Sequence, residues 1–266
     1  MIDFSLRRSL TSRPGPLRWL LLSALLAAGL SGCVYLRLLE LKGQFAEFDR
    51  HFRVENGEHF IVHFLHPVLY RDDFTELSKL DPTRVETTPT GKRTVQVYRK
   101  LDAKDQPQPG SDIVFVLDFD RDDRLTTWDF APLFMALAPA PFLEASLRSL
   151  GKGKVDEGKH QLQVSPGDLP KVTARPPKRD DIVKRLGPPH EQAANAERTL
   201  AVYRYQMQTP RVDEGYEDRR ASSIKLEYDP KTDELVKLRG KFCGLKISIN
   251  FRQLGNSTQV PLETVR

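Results

Sequence analysis

The chain carries one pattern twice, and a repeat of that length restricts the fold before any single element is assigned. Val54-Glu55-Asn56-Gly57-Glu58-His59 returns as Val155-Asp156-Glu157-Gly158-Lys159-His160, with valine, acid, glycine and histidine in place at an offset of 101 residues. Arg71-Asp72-Asp73 returns at 108 as Arg179-Asp180-Asp181, and Leu80 and Pro82 return at 106 as Leu186 and Pro188. Val97-Tyr98-Arg99 is matched at 105 by Val202-Tyr203-Arg204, and Leu117-Asp118-Phe119-Asp120 at 109 by Leu226-Glu227-Tyr228-Asp229. Five matches in one order, drifting only across Pro- and Gly-rich loops, argue for an internal duplication.

Each unit reads as a helix, a hairpin strand, a short helix and three antiparallel strands, with helices covering one face of the sheet. From Leu38 the apolar residues Leu41, Phe45, Phe48 and Phe52 follow at helical spacing. Asn56-Gly57 is a hairpin signal ahead of the alternating Phe60, Val62 and Phe64. An aspartate of Arg71-Asp72-Asp73 can cap a short helix that Pro82 stops. Strands are expected around Thr94–Arg99, Ile113–Phe119 and Arg124–Phe130, with a mobile loop from Asp102 to Ser111. In the second unit Phe142–Leu150 reads as a helix, and the alternation of Phe242, Leu245, Ile247, Ile249 and Phe251 as a long strand buried on one face. The expected class is α+β, two tandem repeats of helices packed on an antiparallel sheet, over residues 33–137 and 138–254. A tail over 255–266 looks disordered.

Ahead of the first unit, Arg7, Arg8, Arg13 and Arg18 precede an apolar run from Trp19 to Gly32, the order of a secretory signal. Leu30-Ser31-Gly32-Cys33 resembles the lipobox of bacterial lipoproteins. The resemblance implies a cleaved signal over residues 1–32, a cut between Gly32 and Cys33, and a diacylglyceryl group with a further acyl chain on Cys33. Its competitor is an uncleaved span, because the 18 residues from Trp19 to Leu36 carry no charge. Small residues immediately before a cysteine are unneeded in a span and favour the lipobox. Arg7-Arg8 also weakly resembles a twin-arginine signal. By the sorting rule of such lipoproteins, Val34 where aspartate would signal retention points to the outer membrane, with the protein facing the periplasm.

Cleavage takes four arginines and one aspartate from 41 basic and 36 acidic residues, so 37 and 35 remain and the net charge falls from +5 to +2. Nucleic acid is therefore not an expected partner. With Cys33 lipidated, Cys243 has no intramolecular partner, and its apolar strand context suggests a buried, inert thiol.

Asp181-Ile182-Val183-Lys184-Arg185-Leu186-Gly187-Pro188-Pro189, followed by Val202-Tyr203-Arg204-Tyr205 and a strand closing at Tyr228-Asp229, resembles the small outer-membrane lipoproteins of the SmpA/OmlA type. The tandem arrangement resembles the β-lactamase-inhibitory proteins. Together they imply a binding or scaffolding module of the cell envelope, possessing no catalytic residues to carry over.

Two clusters compete with that expectation. Asp118, Asp120, Asp122 and Asp129 stand at positions 1, 3, 5 and 12 of an EF-hand-like calcium loop, but position 6 is Asp123 in place of glycine, and the same residues read as a polar turn. His51, His59, His63 and His66 offer zinc or copper ligands; on a strand, however, His59 and His63 share one face while His66 points away. No G-x-S-x-G, H-E-x-x-H, Cys-x-x-Cys or phosphate-binding glycine loop occurs, and Gly151-Lys152-Gly153-Lys154 has the wrong spacing. The expected role is a membrane-anchored, non-enzymatic module that binds an envelope protein and needs no cofactor, with outer-membrane assembly or maintenance as its setting. The alternative is a metal- or small-molecule-binding envelope protein.

Overall fold

The computed structural model describes residues 34–156, 161–163, 170–242 and 245–255. The signal segment with Gly32 and Cys33, the cysteine at 243 and residues 256–266 lie outside them. Seven α-helices are described: α1 (Val34–Ala46), α2 (Phe48–His51), α3 (Arg71–Ser78), α4 (Pro132–Leu137), α5 (Ala140–Ser149), α6 (Arg179–Leu186) and α7 (Phe251–Leu254).

Eleven strands form one curled antiparallel sheet. They are β1 (Phe52–Asn56), β2 (Phe60–Phe64), β3 (Arg84–Thr88), β4 (Gly91–Leu101), β5 (Ile113–Phe119), β6 (Leu125–Phe130), β9 (Glu191–Ala194), β10 (Thr199–Gln208), β11 (Ala221–Tyr228), β12 (Leu235–Phe242) and β13 (Leu245–Asn250). Strands β7 (Lys154–Asp156) and β8 (Gln161–Gln163) make a separate pair. The order in the large sheet is β1-β2-β6-β5-β4-β10-β11-β12-β13, with β3 beside β4 and β9 beside β10. The class is thus α+β, and one continuous sheet runs through both halves of the chain.

Strand alternation buries one face. Ile113, Phe115, Leu117 and Phe119 of β5, Ala201, Tyr203, Tyr205 and Met207 of β10, and Ile224, Leu226 and Tyr228 of β11 all point to the covered side. Against them Phe134 of α4 packs at 5.3 Å from Phe115 and 5.5 Å from Phe130, ring centre to ring centre, while Phe142 of α5 meets Phe251 of α7 at 4.8 Å. Aromatic pairs at these separations add to their area burial.

Local devices recur at matching places. The β5–β6 and β11–β12 ladders each shift register once, between Asp118 and Phe119 and between Glu227 and Tyr228. The turns that follow hold Asp123 and Asp233 at φ 59° and 61°. Arg71 N–H donates to the Asp123 carbonyl, as Arg179 N–H does to Asp233, and the Arg71 and Arg179 side chains pair with those same aspartates. Helix α3 ends in Lys79 at φ 63° and α6 in Gly187 at φ 73°. With Phe119 set against Tyr228, their cross-strand partners Lys92 and Thr199 relate β4 to β10 at an offset of 107. That is two residues from the Val-Tyr-Arg match, so Tyr98 takes the place of Tyr205.

Three local expectations change. The Leu38–Phe52 stripe is not one helix: α1 starts at Val34, the chain breaks at Glu47, and Phe52 opens β1. Its rings still cluster, Phe45 and Phe48 lying 4.7 and 5.0 Å from Phe52. The Asp102–Ser111 loop is pinned, because Asp102 Oδ1 accepts from Lys104 and Gln106 N–H and Gln108 N–H donates to Lys100. The apolar alternation near the end is not one strand: Phe242 ends β12, Leu245 opens β13 antiparallel to it and pairs with Phe242, and β13 stops at Asn250, whose side chain caps α7 by accepting from Gln253 N–H.

Candidate functional site: the outward face of the sheet

Helices load the covered side, so the other side of the sheet reaches solvent. On β4 the outward residues are Val95, Val97, Arg99 and Leu101, since Thr94, Gln96, Tyr98 and Lys100 occupy the buried positions. Register sets Val97 opposite Val114 and Val95 opposite Val116. Leu200 and Val202 of β10 share this face farther along, beside Glu227 and Lys225 of β11. Except for Val95, which neighbouring side chains cover, these aliphatic groups are half-buried. Val95, Val97, Val114 and Val116 form an apolar band across β5 and β4; Leu200 and Val202 lie apart from it, because Gln208 and Arg204 are the β10 residues opposite Val97 and Leu101.

On the β1–β6 side, charged groups flanking the band are paired across strands. Arg93 grips Asp118 through Nε at 2.6 Å and Nη2 at 2.9 Å, and Thr127 Oγ1 donates to the same carboxylate at 3.0 Å. Burial works against ionising Asp118, yet those bonds from Arg93 and Thr127 hold its carboxyl below the usual range. His59 Nδ1 lies 2.8 Å from Asp129, and His63 Nε2 3.2 Å from Glu55.

Each residue of the predicted acidic loop therefore has a separate engagement. Asp118 serves Arg93, Asp129 serves His59, and Asp120 Oδ1 accepts from Asp122 and Arg124 N–H, both at 2.9 Å, to close the turn. Asp122 lends its backbone to that turn, while Asp123 holds Lys92 and Arg71. Among the described residues no group of three His, Cys, Asp or Glu side chains converges to hold a metal ion. The histidines separate as their alternation indicated: His59 and His63 face outward, whereas His66 sits beyond the strand with its ring 4.9 Å from His51.

Sequence reading missed a buried polar cluster under the seam between β4 and β10. Lys100 is fully buried, and its Nζ donates to the carbonyls of Leu186 at 2.5 Å and Pro188 at 2.7 Å. Those carbonyls close the C-terminus of α6, where a cation complements the helix dipole. Burial lowers the pKa of Lys100, and Asp102 partly restores it. Tyr203 Oη donates to the Gly187 carbonyl at 3.3 Å and is pushed up to about 12 by burial; Tyr205 and Tyr228, whose hydroxyls have no hydrogen-bond partner among the described residues, are raised further by burial. The cluster is closed to substrate. Two shallow depressions elsewhere, of about 270 Å³ beside Thr87 and Arg121 and about 290 Å³ beside Pro141 and Lys171, border neither it nor the apolar band.

No helix among the described residues is long and apolar enough to cross a membrane. Comparison with protein-family models, curated proteins and solved structures finds no significant match for this chain.

Proposed function

We propose that the chain is a lipid-anchored protein of the bacterial outer membrane, built from two fused copies of one α+β unit, that binds a protein partner of the cell envelope through the outward face of its sheet. The observation that carries this reading is the half-exposed aliphatic band of Val97, Val114 and Val116, flanked by ordered charges. An apolar centre with a charged rim is the anatomy of a protein interface. The matching register shifts, turn aspartates and helix ends support the duplication. The absence of catalytic motifs from the sequence favours a binding role, with assembly or maintenance of the outer membrane as its setting.

Anchoring follows from Cys33. Two or more acyl chains, at ~0.8 kcal/mol for each buried methylene, hold a protein on a bilayer stably. Because α1 begins at Val34, the tether has no slack and the first unit stays near the membrane. Labelled palmitate should enter the wild-type protein in cells and not a Cys33→Ser variant; equal labelling removes the anchor from the proposal. For the partner, a photo-crosslinking amino acid at Val97 or Val114 should give a reproducible adduct in intact cells, whereas one at the exposed Lys184 of α6 should not. Adducts independent of position, or none from the band, refute the interface.

A further inference from the structure

The two halves of the outward face carry opposite charge logic at corresponding places in the ladder. Next to the register shift of the first half, Asp118 lies opposite Thr127 and Val116 opposite Asp129. Next to that of the second half, Glu227 lies opposite Lys237 and Lys225 opposite Arg239. Lys225, Lys237 and Arg239 thus stand where the first half has valine, threonine and aspartate. One step along β12, Lys241 lies opposite Lys246.

Like charges directly opposed across strands destabilise a sheet. The protein keeps two such pairs on one face with little to neutralise them. Glu227 is the carboxylate that answers here, 3.2 Å from Arg239, and it is shared with Arg198 at 3.8 Å. Among the described residues Lys225, Lys237, Lys241 and Lys246 make no ion pair. Burial and the nearby Arg219 push the Lys241 pKa down, Asp218 opposes them and Lys246 adds to the lowering, so the positive charge here is only partly compensated. By contrast the first half matches Arg93 with Asp118 and His59 with Asp129.

We propose that the outward face of β11–β13 is an anion-recognition surface for an acidic patch on the protein partner. The inference rests on the partner-binding reading above and narrows that partner's chemistry. Charge complementarity selects an anionic occupant. Lys225 stands opposite Val202 and Glu227 opposite Leu200, so the cationic ladder rims half-buried aliphatic side chains, the anatomy of a protein interface, and the occupant is an acidic protein patch.

The test uses the full chain in nonionic detergent, with fluorescein-labelled poly-L-glutamate as one probe and dihexanoyl phosphatidylglycerol as the other. The variant Lys225→Glu/Lys237→Glu/Arg239→Glu is compared with Lys104→Glu/Lys152→Glu/Lys184→Glu, which has the same net charge but leaves the face intact. Polyglutamate affinity should fall about tenfold or more in the face variant and less than twofold in the control. Equal losses in both overturn the proposal, and face-dependent binding of the lipid without polyglutamate overturns its assignment to a protein. Should the triple variant fail to fold, Lys225→Glu alone decides: it converts a repulsive pair into an attractive one and should raise the unfolding midpoint while weakening polyglutamate binding. A lowered midpoint, or unchanged binding, overturns the premise. Crosslinks from Val97 that persist while these charge variants have no effect would remove the acidic-partner inference and leave the interface standing.

Discussion

Replacing Lys100 by methionine keeps the methylene stem in its buried path and removes only the ammonium. The Leu186 carbonyl then loses its donor in buried space and the Pro188 carbonyl loses its donor at a partly buried position. Each buried acceptor left unpaired costs about 1–3 kcal/mol. Part of that loss is offset because an ammonium no longer has to be desolvated, a cost of a few kcal/mol per buried ion. The net expectation is a loss of ~2–4 kcal/mol at neutral pH, read from urea unfolding of the wild type and Lys100→Met side by side. The pH dependence carries a sign. Burial places the folded pKa of Lys100 below its ordinary value of 10.5, so between the two values the unfolded chain holds a proton that the folded chain lacks. Stability of the wild type therefore rises with pH in that window, and the variant has no such contribution. The gap between them should widen as pH climbs toward 10.5. A loss below ~1 kcal/mol, or a gap that narrows in base, would refute the account of Lys100 as the donor that closes α6.

Tyr205→Phe removes a buried hydroxyl that has no partner and should be neutral or stabilising by ~1 kcal/mol, measured by thermal unfolding. The raised pKa values of Tyr203, Tyr205 and Tyr228 add stability that is complete below pH ~10 and lost above it, so their phenolate absorbance should appear only together with base unfolding. Gly91 has φ 155°, and a Cβ there would stand 2.1 Å from the Phe119 carbonyl oxygen; Gly91→Ala should cost ~3 kcal/mol or more in denaturant and open the β4–β5 end. Asp73, 2% exposed, accepts from Tyr70 N–H at 2.8 Å and from Arg37 Nε at 2.8 Å. Asp73→Asn should cost ~3–5 kcal/mol and speed hydrogen exchange across Val34–Ala46, because Arg37 is what ties α1 to α3.

The strands that alternate were legible. Ile113–Phe119 was placed to the residue, and the Asn56-Gly57 hairpin formed where its turn signal stood. What escaped lacks a period. Strand β3, Arg84–Thr88, is exposed on both faces and depends on pairing with β4, while α4, Pro-Leu-Phe-Met-Ala-Leu, is apolar on every side and has no stripe to read. In β4 the hydrophobic pattern points the wrong way. Val95 and Val97 look like core but face outward, and Thr94, Gln96 and Lys100 are buried because hydrogen bonds supplied by distant segments satisfy at least the last of them. For the same reason the outward face could not be found from sequence: its valines read as interior, and the cationic pairs Lys225–Arg239 and Lys241–Lys246 exist only once register is known.

The seam that joins the halves pairs Leu101 with Arg204 and Val97 with Gln208, so it closes a chain loop of more than a hundred residues. Every other pairing in the large sheet lies within one half, most of them between successive strands. Closing a long loop is entropically expensive before its contacts form, and non-local pairing slows folding. The halves are therefore expected to order first and dock last. Until they do, residues 97–101 and 204–208 are free strand edges, the arrangement most open to pairing with the wrong copy. Exchange of halves between molecules, leaving the seam intact but shared, is the misassembly this topology invites.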